Sequence, residues 1–375
     1  MKEIKMVDLK GQYEKIKNEI DRDILNVLDS TAYINGPAVN NFQKNLEEYL
    51  KVKHVIPCAN GTDALQVALM SLDLKPGDEV ITTAFTFVAT VEVIALLNLK
   101  PIFVDVYDDT FNISIEEIKK AITPKTKVII PVHLFGQNVK MKELLDLAKQ
   151  NNIYVVEDAC QSIGCDYKFP DGTVKKSGTM GLIGCTSFFP SKNLGCYGDG
   201  GAIFTNDDDL AKRMRGVVNH GMEVRYYHDY VGVNSRLDSI QAAILNIKLK
   251  KLDEYSGARL DAAKYYNEKL SQSSKITVPT WIEESNHVFH QYTLKLNGVN
   301  RDELIKYLNG KGIPAMIYYP VPLHLQKAYE YLGFKNGMLP VTEKLSECVM
   351  SLPIHTELDK DQLEYITSSI LEYVK

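Results

Sequence analysis

The sequence has no long apolar run, no low-complexity tract and no strong excess of either charge. Its 43 basic and 48 acidic residues give a formal net charge of −5, which argues against a general nucleic-acid or anionic-membrane surface. No run is long enough to cross a bilayer, and the first ten residues lack the apolar core of a signal peptide. We therefore expect a mature protein that is the whole chain, with no membrane or nucleic-acid partner.

Paired metal-ligand spacings are also missing. The two closest histidines of interest, His287 and His290, fall where the sequence predicts a strand near 288–296, and a strand would send their side chains to opposite faces. The six cysteines lack a paired metal spacing, and several lie in apolar segments, which suits reduced thiols. They are Cys58, Cys160, Cys165, Cys185, Cys196 and Cys348. We expect no bound metal and a cytoplasmic location.

Two nucleotide-binding signatures are absent as well. A nicotinamide-dependent dehydrogenase should carry a Gly-x-Gly-x-x-Gly turn after an early strand, and a P-loop enzyme should carry a glycine-rich Gly-Lys-Ser/Thr segment. Neither pattern occurs in the chain. These absences disfavour two common classes of soluble α/β enzyme.

The most informative segment that is present runs from 186 to 205, where an apolar strand leads into a glycine-rich turn with one lysine, Lys192. Glycines at 195, 198, 200 and 201 allow the backbone to approach a bound group closely. A lysine amine forms a Schiff base with a carbonyl compound or with pyridoxal phosphate when burial or a nearby cation lowers its pKa. Taken alone, the segment is equally compatible with a surface lysine on a loop.

A second candidate lies at Asn60-Gly61-Thr62, between a β-branched run at 52–56 and an alanine- and leucine-rich segment that reaches Leu72. This arrangement predicts a turn that opens a helix. The free amides of a first helical turn, together with the Thr62 hydroxyl, would make an anion site suited to a phosphate. The alternative is an ordinary N-cap.

A third candidate is Asp158, at the end of the apolar run 152–157. Open α/β sheets bind their ligands at the carboxyl ends of their strands. A carboxylate facing a pyridine nitrogen would keep that nitrogen protonated through a charge-assisted hydrogen bond, and the protonated ring would act as an electron sink. The alternative is an N-cap for a following helix.

These three motifs, together with Phe85-Thr86-Phe87 and the segment 232–238, resemble the sugar-nucleotide aminotransferases of the DegT/StrS family. Members of that family are pyridoxal phosphate (PLP) enzymes of the aspartate-aminotransferase fold type. The likeness extends from Val7 to Pro353 and so covers nearly the whole chain. It implies a large PLP-binding α/β domain at 1–238, and a bridging helix with a smaller C-terminal α+β domain at 239–375.

The resemblance also implies a role for each cofactor contact. Lys192 matches the lysine that binds the cofactor through an imine and then moves the proton between substrate and cofactor carbons. Asp158 matches the carboxylate that holds the ring nitrogen protonated. Gln161 matches the residue that hydrogen-bonds the phenolic oxygen, and Phe87 matches the aromatic that stacks on the ring.

Four further matches concern the cofactor's phosphate. Gly61, Thr62 and Ser187 match its cradle. Asn234 matches a residue that, in this family, reaches the phosphate from the partner subunit. The resemblance therefore implies a homodimer with shared active sites.

Substrate contacts are implied for four residues. Arg236 would bind the diphosphate of the substrate, to which a bidentate guanidinium is suited. Tyr318, Tyr319 and His324 match a C-terminal segment that closes toward the sugar. The alternatives are a surface ion pair for the arginine, core packing for the tyrosines and a structural role for the histidine.

The identity of residue 192 also bears on the reaction. Relatives with a histidine there remove a hydroxyl group, so Lys192 implies transamination, with glutamate the usual donor in the family and 2-oxoglutarate its product. The segment 220–236 looks most like members that act at the 3-position of a hexose, linked to dTDP or UDP. The product would be an amino-sugar nucleotide for surface polysaccharide or glycan synthesis. A 4-keto substrate, and a PLP-binding regulatory protein without turnover, stay open.

The order of apolar runs predicts the fold class independently. Short β-rich runs alternate with amphipathic segments such as 141–150, which predicts a mostly parallel sheet covered on both faces. The runs are 79–83, 101–105, 127–132, 153–157 and 183–188. A continuous helical pattern from Ser239 to Leu270, capped by Ser235 or Asp238, predicts one long helix. Helices at 301–308 and 360–373 would complete the C-terminal domain.

Overall fold

Strands and helices alternate through most of the computed structural model, which describes residues 2–375. The strands are β1 (His54–Cys58), β2 (Glu79–Thr83), β3 (Lys100–Val104), β4 (Thr126–Ile129), β5 (Tyr154–Asp158), β6 (Asp166–Lys168), β7 (Val174–Lys176), β8 (Ile183–Ser187), β9 (Gly201–Thr205), β10 (Met222–Val224), β11 (Tyr227–His228), β12 (Ile276–Thr277), β13 (Tyr292–Leu296) and β14 (Val349–Leu352). The α-helices are α1 (Leu9–Ser30), α2 (Pro37–Leu50), α3 (Gly61–Met70), α4 (Ala89–Leu96), α5 (Ile115–Ala121), α6 (Met141–Asn151), α7 (Asp208–Val217), α8 (Ser239–Leu249), α9 (Leu252–Leu270), α10 (Arg301–Gly310), α11 (Pro340–Cys348) and α12 (Lys360–Val374). Short 3-10 helices cover Leu134–Gly136, Leu323–Leu325 and Lys327–Leu332.

Seven strands form the central sheet, in the order β1-β9-β8-β5-β4-β2-β3. The strands from β8 to β3 are parallel neighbours. β9 is the exception, because it runs antiparallel to both β8 and β1. β2, β8 and β9 are buried along their whole length, as is usual for strands covered on both faces. The predicted mostly parallel α/β sheet is confirmed.

Helices pack on both faces of this sheet because neighbouring strand residues point in opposite directions. Val128 lies in one core with Leu65 of α3. The next residue, Ile129, lies in a second core with Leu144 of α6. Because apolar side chains cover both faces of the sheet, polar groups can gather at its carboxyl edge.

A smaller unit follows, with the antiparallel sheet β12-β13-β14 and helices around it. Its core joins Tyr266 of α9, Tyr292 of β13, Leu304 of α10 and Ile366 of α12. The predicted helices at 301–308 and 360–373 correspond to α10 and α12.

The predicted single helix from Ser239 to Leu270 is wrong, because α8 ends at Leu249 and α9 begins at Leu252. Leu245 of α8 and Leu252 at the start of α9 pack with the large sheet, whereas Ala263 further along α9 packs in the C-terminal unit. The predicted caps are also wrong, since Asp238 makes no side-chain cap and Ser235 Oγ instead accepts from the amide of Ala59. The predicted domain boundary at residue 239 stays a prediction.

The predicted strand at 288–296 begins later, at Tyr292. Backbone hydrogen bonds tie Val288 and Gln291 to Gly136 and Phe135, and Phe289 has a φ of 43°, which a strand does not accommodate. The side chains of His287 and His290 are both buried. Neither histidine lies in a strand, so the predicted argument from opposite strand faces does not apply to them.

Three facts bear on environment and metals. All six cysteines are free thiols. No helix within residues 2–375 has both the length and the apolar character needed to cross a bilayer. In the same range, the structure brings no three His, Cys, Asp or Glu side chains together as a metal site.

Candidate active site

Most of the predicted cofactor contacts lie near one edge of the central sheet. Asp158 ends β5, Ser187 ends β8, and Gly61 opens the helix that follows β1. Phe87 lies between β2 and α4. Because parallel strands end at the same edge, residues far apart in sequence meet there.

Asp158 is buried, with both carboxylate oxygens fixed. Oδ2 accepts a hydrogen bond from Thr90 Oγ1 at 2.8 Å, and Oδ1 accepts one from the amide of Cys160 at 3.1 Å. Its backbone is tied to the neighbouring strand end, since its amide donates to the Pro131 carbonyl at 2.9 Å. Residues 159–164 form turns and no helix, so the N-cap alternative is wrong.

Lys192 sits on a tight turn and keeps part of its side chain exposed. Burial lowers the pKa of its amine, while Cys160 and Asp158 act in the opposite direction. The turn closes through a hydrogen bond from the Lys192 amide to the Phe189 carbonyl at 2.8 Å. Gly195 is required here, because a Cβ at that position would lie 2.3 Å from the Pro190 carbonyl oxygen.

The first turn of α3 is arranged as an anion site. The Asn60 side chain accepts from the Asp63 amide at 2.8 Å, which caps the helix. The amides of Gly61 and Thr62 have no acceptor inside the helix. A methyl group at Gly61 would lie 2.7 Å from Ser187 Cβ, so only glycine lets this backbone approach the end of β8 so closely.

Gln161 joins this edge to the C-terminal unit. Its Oε1 accepts from the Phe135 amide at 2.9 Å, and its Nε2 donates to the Tyr319 hydroxyl at 3.2 Å. Phe87, in the loop that follows β2, is 56 % exposed. An exposed aromatic ring at a polar edge is available for stacking on a bound ring.

The predicted substrate contacts are less closely gathered. Arg236 donates to the Asn219 side chain at 3.3 Å, and Asn234 is exposed. Tyr318 is partly buried and packs beside Tyr319. His324 is 1 % exposed and pairs with Glu343 at 3.0 Å, which matches the structural alternative for this histidine. Contact of these side chains with a sugar stays a prediction.

A family model for the DegT/DnrJ/EryC1/StrS aminotransferases matches residues 14–371. The chain belongs to this family. It is 45% identical over 368 residues to the UDP-2-acetamido-2-deoxy-3-oxo-D-glucuronate aminotransferase of Pseudomonas aeruginosa, with 98% of this chain and 99% of the relative covered. It is 44% identical over 374 residues to the pleiotropic regulatory protein of Geobacillus stearothermophilus, with 99% of each chain covered.

Solved structures agree with this assignment. The crystal structure of S. venezuelae DesV in complex with a ketimine intermediate superposes with a TM-score of 0.95 at 36% identity, covering 100% of this chain and 99% of that one. Other solved members carry the cofactor in its PLP or its pyridoxamine (PMP) form. This DegT/StrS chain is therefore a PLP-dependent sugar-nucleotide aminotransferase, and the predicted family, fold class and cofactor are confirmed.

The site of this aminotransferase fits PLP in three respects. The first turn of α3 and Ser187 offer donors to a phosphate, and Asp158 offers a fixed carboxylate to a ring nitrogen. Lys192 offers an amine whose pKa is lowered by burial. The phosphate of PLP requires hydrogen-bond donors, its protonated ring nitrogen an acceptor, and its aldehyde an amine.

Three neighbours of the site were not predicted from the sequence. Thr90 donates a hydrogen bond to Asp158, and Asn193 Nδ2 donates one to the carbonyl of Val288, 95 residues later, at 2.7 Å. Burial, with the charges of Lys192 and Arg259, lowers the pKa of His290. Thr90 and Asp158 are 68 residues apart, and no local pattern links them.

Proposed function

We propose that this aminotransferase acts on a 3-keto hexose linked to UDP or dTDP, with glutamate as the amino donor. The product would be an amino-sugar nucleotide for surface polysaccharide or glycan biosynthesis. The P. aeruginosa relative is named for a UDP-linked 3-oxo sugar, and further relatives are named for a UDP-linked 3-dehydro sugar and for dTDP-linked 3-amino sugars. These names support amination at position 3 of the hexose and are compatible with either UDP or dTDP as the nucleotide.

The observation that carries the proposed chemistry is that Asp158 and Lys192 both lie at the carboxyl edge of the central sheet. Bound PLP supplies an aldehyde that links amines covalently and a protonated ring that withdraws electrons. Asp158, fixed by Thr90 and the Cys160 amide, would hold the proton on the ring nitrogen. Burial lowers the pKa of Lys192, which favours the neutral form of the amine that can accept a proton at Nζ.

The reaction would divide into two halves that use the same lysine. In the first, Lys192 Nζ would take the α-proton of glutamate, the amino group of glutamate would stay with the cofactor, and 2-oxoglutarate would leave with its keto oxygen taken from water. In the second, Nζ would return a proton to the sugar carbon that receives the amine. This division predicts ping-pong kinetics.

We also propose a homodimer in which Asn234 completes the partner's site. Asn234 is exposed on its own subunit. The adjoining hairpin, residues 222–231, exposes Val224, Tyr226 and Val231 at 62%, 75% and 85%. Exposed apolar groups of this size beside a predicted site residue support a surface that a second copy covers.

The test of substrate and donor is spectroscopic. Glutamate should bleach the absorbance of the bound cofactor, and UDP- or dTDP-linked 3-keto sugars should restore it, while matched 4-keto sugars should restore it far more slowly. NMR of the product would identify the aminated carbon. Recovery with 4-keto sugars alone would overturn the assigned position. A protein that binds PLP but is bleached neither by glutamate nor by other amino acids, and that aminates no keto sugar, would favour the regulatory alternative.

A further inference from the structure

A lysine lies buried beneath the turn that carries Lys192. Lys248, on α8, is 1 % exposed. The groups whose charges act on it are the Cys196 thiol and the Arg259 guanidinium, and neither is a carboxylate. A buried lysine without an acidic partner is unusual, because burial disfavours the ammonium.

The Lys248 ammonium is directed at the turn itself. Its Nζ donates to the carbonyl of Gly195, three residues after Lys192. It also lies 5.3 Å from the centroid of the Tyr197 ring, within the range of a cation–π contact. Both partners belong to the segment that follows the catalytic lysine.

A second side chain of α8 holds the same segment. Gln241 Oε1 accepts from the Tyr197 amide at 2.8 Å, and Gln241 Nε2 donates to the Tyr197 carbonyl at 3.4 Å. Gln241 and Lys248 are seven residues apart, two helical turns, so they lie on one face. α8 therefore contacts the turn through two side chains, Gln241 and Lys248.

The opposite flank of the turn is tied to the C-terminal half of the chain. Asn193 Nδ2 donates to the Val288 carbonyl at 2.7 Å. Within the turn, the Cys196 amide donates to the Phe188 carbonyl at 2.8 Å. Lys192 thus lies on a segment held from both sides, with Lys248 supplying the charged contact.

The ammonium is an unfavourable group for global stability at this place. Burial lowers the pKa of Lys248 to about 8. A methionine would fill a similar volume without the desolvation of a charge. What Lys248 gains in return is a charge-assisted hydrogen bond to Gly195, and that bond acts on the geometry of the turn.

We propose that Lys248 is a positioning residue for Lys192, acting through the carbonyl of Gly195. This inference rests on the proposed role of Lys192 as the residue that binds PLP. Lys248 contacts neither cofactor nor substrate in this role. It restricts where the Lys192 amine can lie.

The test compares Lys248→Met with Lys250→Met, the same substitution at an exposed lysine two residues away. Hydrogen exchange of the cofactor-free protein would follow residues 189–199. In Lys248→Met, the amides of Lys192 and Cys196 should exchange about tenfold faster, since a charged hydrogen bond that holds the turn is gone. The thermal midpoint should change little, because the desolvation cost of the removed ammonium offsets the loss of its bond to Gly195. Lys250→Met should match the wild type in both measurements.

A second readout follows the lysine. After PLP is added and the protein is reduced with borohydride, mass spectrometry gives the fraction labelled at Lys192. That fraction should fall severalfold in Lys248→Met at limiting PLP, and Lys248→Arg should recover most of it. Gln241→Ala, which keeps the ammonium, should loosen the turn less and serves if Lys248→Met does not fold.

The outcomes separate the two proposals. Unchanged exchange at 189–199 in Lys248→Met, or acceleration spread equally over β13 and β14, would overturn the positioning role. A wild-type protein that is never labelled at Lys192 would instead overturn the proposed function. In that case the exchange result would still report whether Lys248 holds the turn.

Discussion

The carboxyl edge of the central sheet and the core of the C-terminal unit both bury polar side chains, but they use them differently. In the C-terminal unit the polar groups end on backbone: Tyr266 donates to the Pro353 carbonyl at 2.9 Å, and Arg259 donates to the Ile354 carbonyl at 2.8 Å. At the sheet edge, Asp158 and Gln161 each bond one side chain and one backbone amide, and Lys192 stays partly exposed.

This difference separates stability from chemistry. Side chains that saturate backbone groups contribute to folding, because their loss leaves buried donors or acceptors unpaired. Side chains that are fixed by neighbours and still face open space are available to a ligand. We therefore expect changes at the sheet edge to alter reaction and cofactor binding with little effect on unfolding, and changes in the C-terminal unit to do the reverse.

The strongest test of this contrast is Lys192→Ala. It should remove the covalent attachment of PLP and lower turnover by at least about 10²–10⁴-fold, the contribution usual for a proton-transferring group. The thermal midpoint of the cofactor-free protein should change little, since the side chain is partly exposed. Kinetics, cofactor absorbance and calorimetry would measure the three effects. Retained turnover would contradict the role of Lys192.

Asp158→Asn should have the next largest effect. The amide keeps the shape of the carboxylate but loses its charge, so a hydrogen bond worth about 1.5–3 kcal/mol to a protonated ring is weakened. Removal of the α-proton should slow about ten- to hundredfold, as measured by the rate of bleaching with glutamate. Thr90→Val offers a matched comparison, because it removes only the neighbour that holds Asp158. If Asp158→Asn changed stability alone, Asp158 would be a structural residue.

Much of the large sheet could be predicted because its strands are short apolar runs bounded by turns. The predicted run 79–83 has the same bounds as β2, and the run at 183–188 exceeds β8 by one residue. The gathering of Gly61, Asp158 and Lys192 followed from the same pattern, since the ends of parallel strands share an edge. Local pattern was sufficient where a short apolar run is bounded by turns.

Local pattern failed where distant packing decides the structure. The apolar stripe from Ser239 to Leu270 is continuous, but the helix breaks after Leu249, and the packing passes from one core to the other between Leu252 and Ala262. The burial of His324 depends on Phe103, more than two hundred residues earlier in the chain. The link between Thr90 and Asp158 has the same origin.

Asn234 belongs to neither of the two regions compared above, since it lies on a surface that is exposed in the single subunit. Asn234→Ala should weaken PLP binding roughly tenfold through the loss of one hydrogen bond to a charged phosphate, as measured by titration. At a PLP concentration that leaves Asn234→Ala sites largely empty, mixing it with Lys192→Ala chains should restore about a quarter of the sites on random reassortment, or about half if mixed dimers dominate. No recovery of turnover in the mixture would place Asn234 outside the neighbouring site.

The smallest effect on chemistry should come from His355, in the C-terminal unit, where only stability should respond. Its Nδ1 accepts from the Glu357 amide at 3.1 Å, and burial lowers its pKa from 6.5 to about 4. Between these values the unfolded chain binds the extra proton, so the free energy of unfolding should fall as pH drops from 6.5 to 4, by up to about 3 kcal/mol from this residue. His355→Asn keeps an acceptor but cannot titrate, so denaturant unfolding at several pH values should show a shallower acid slope. A cofactor spectrum altered by His355→Asn at neutral pH would contradict the separation between the two regions.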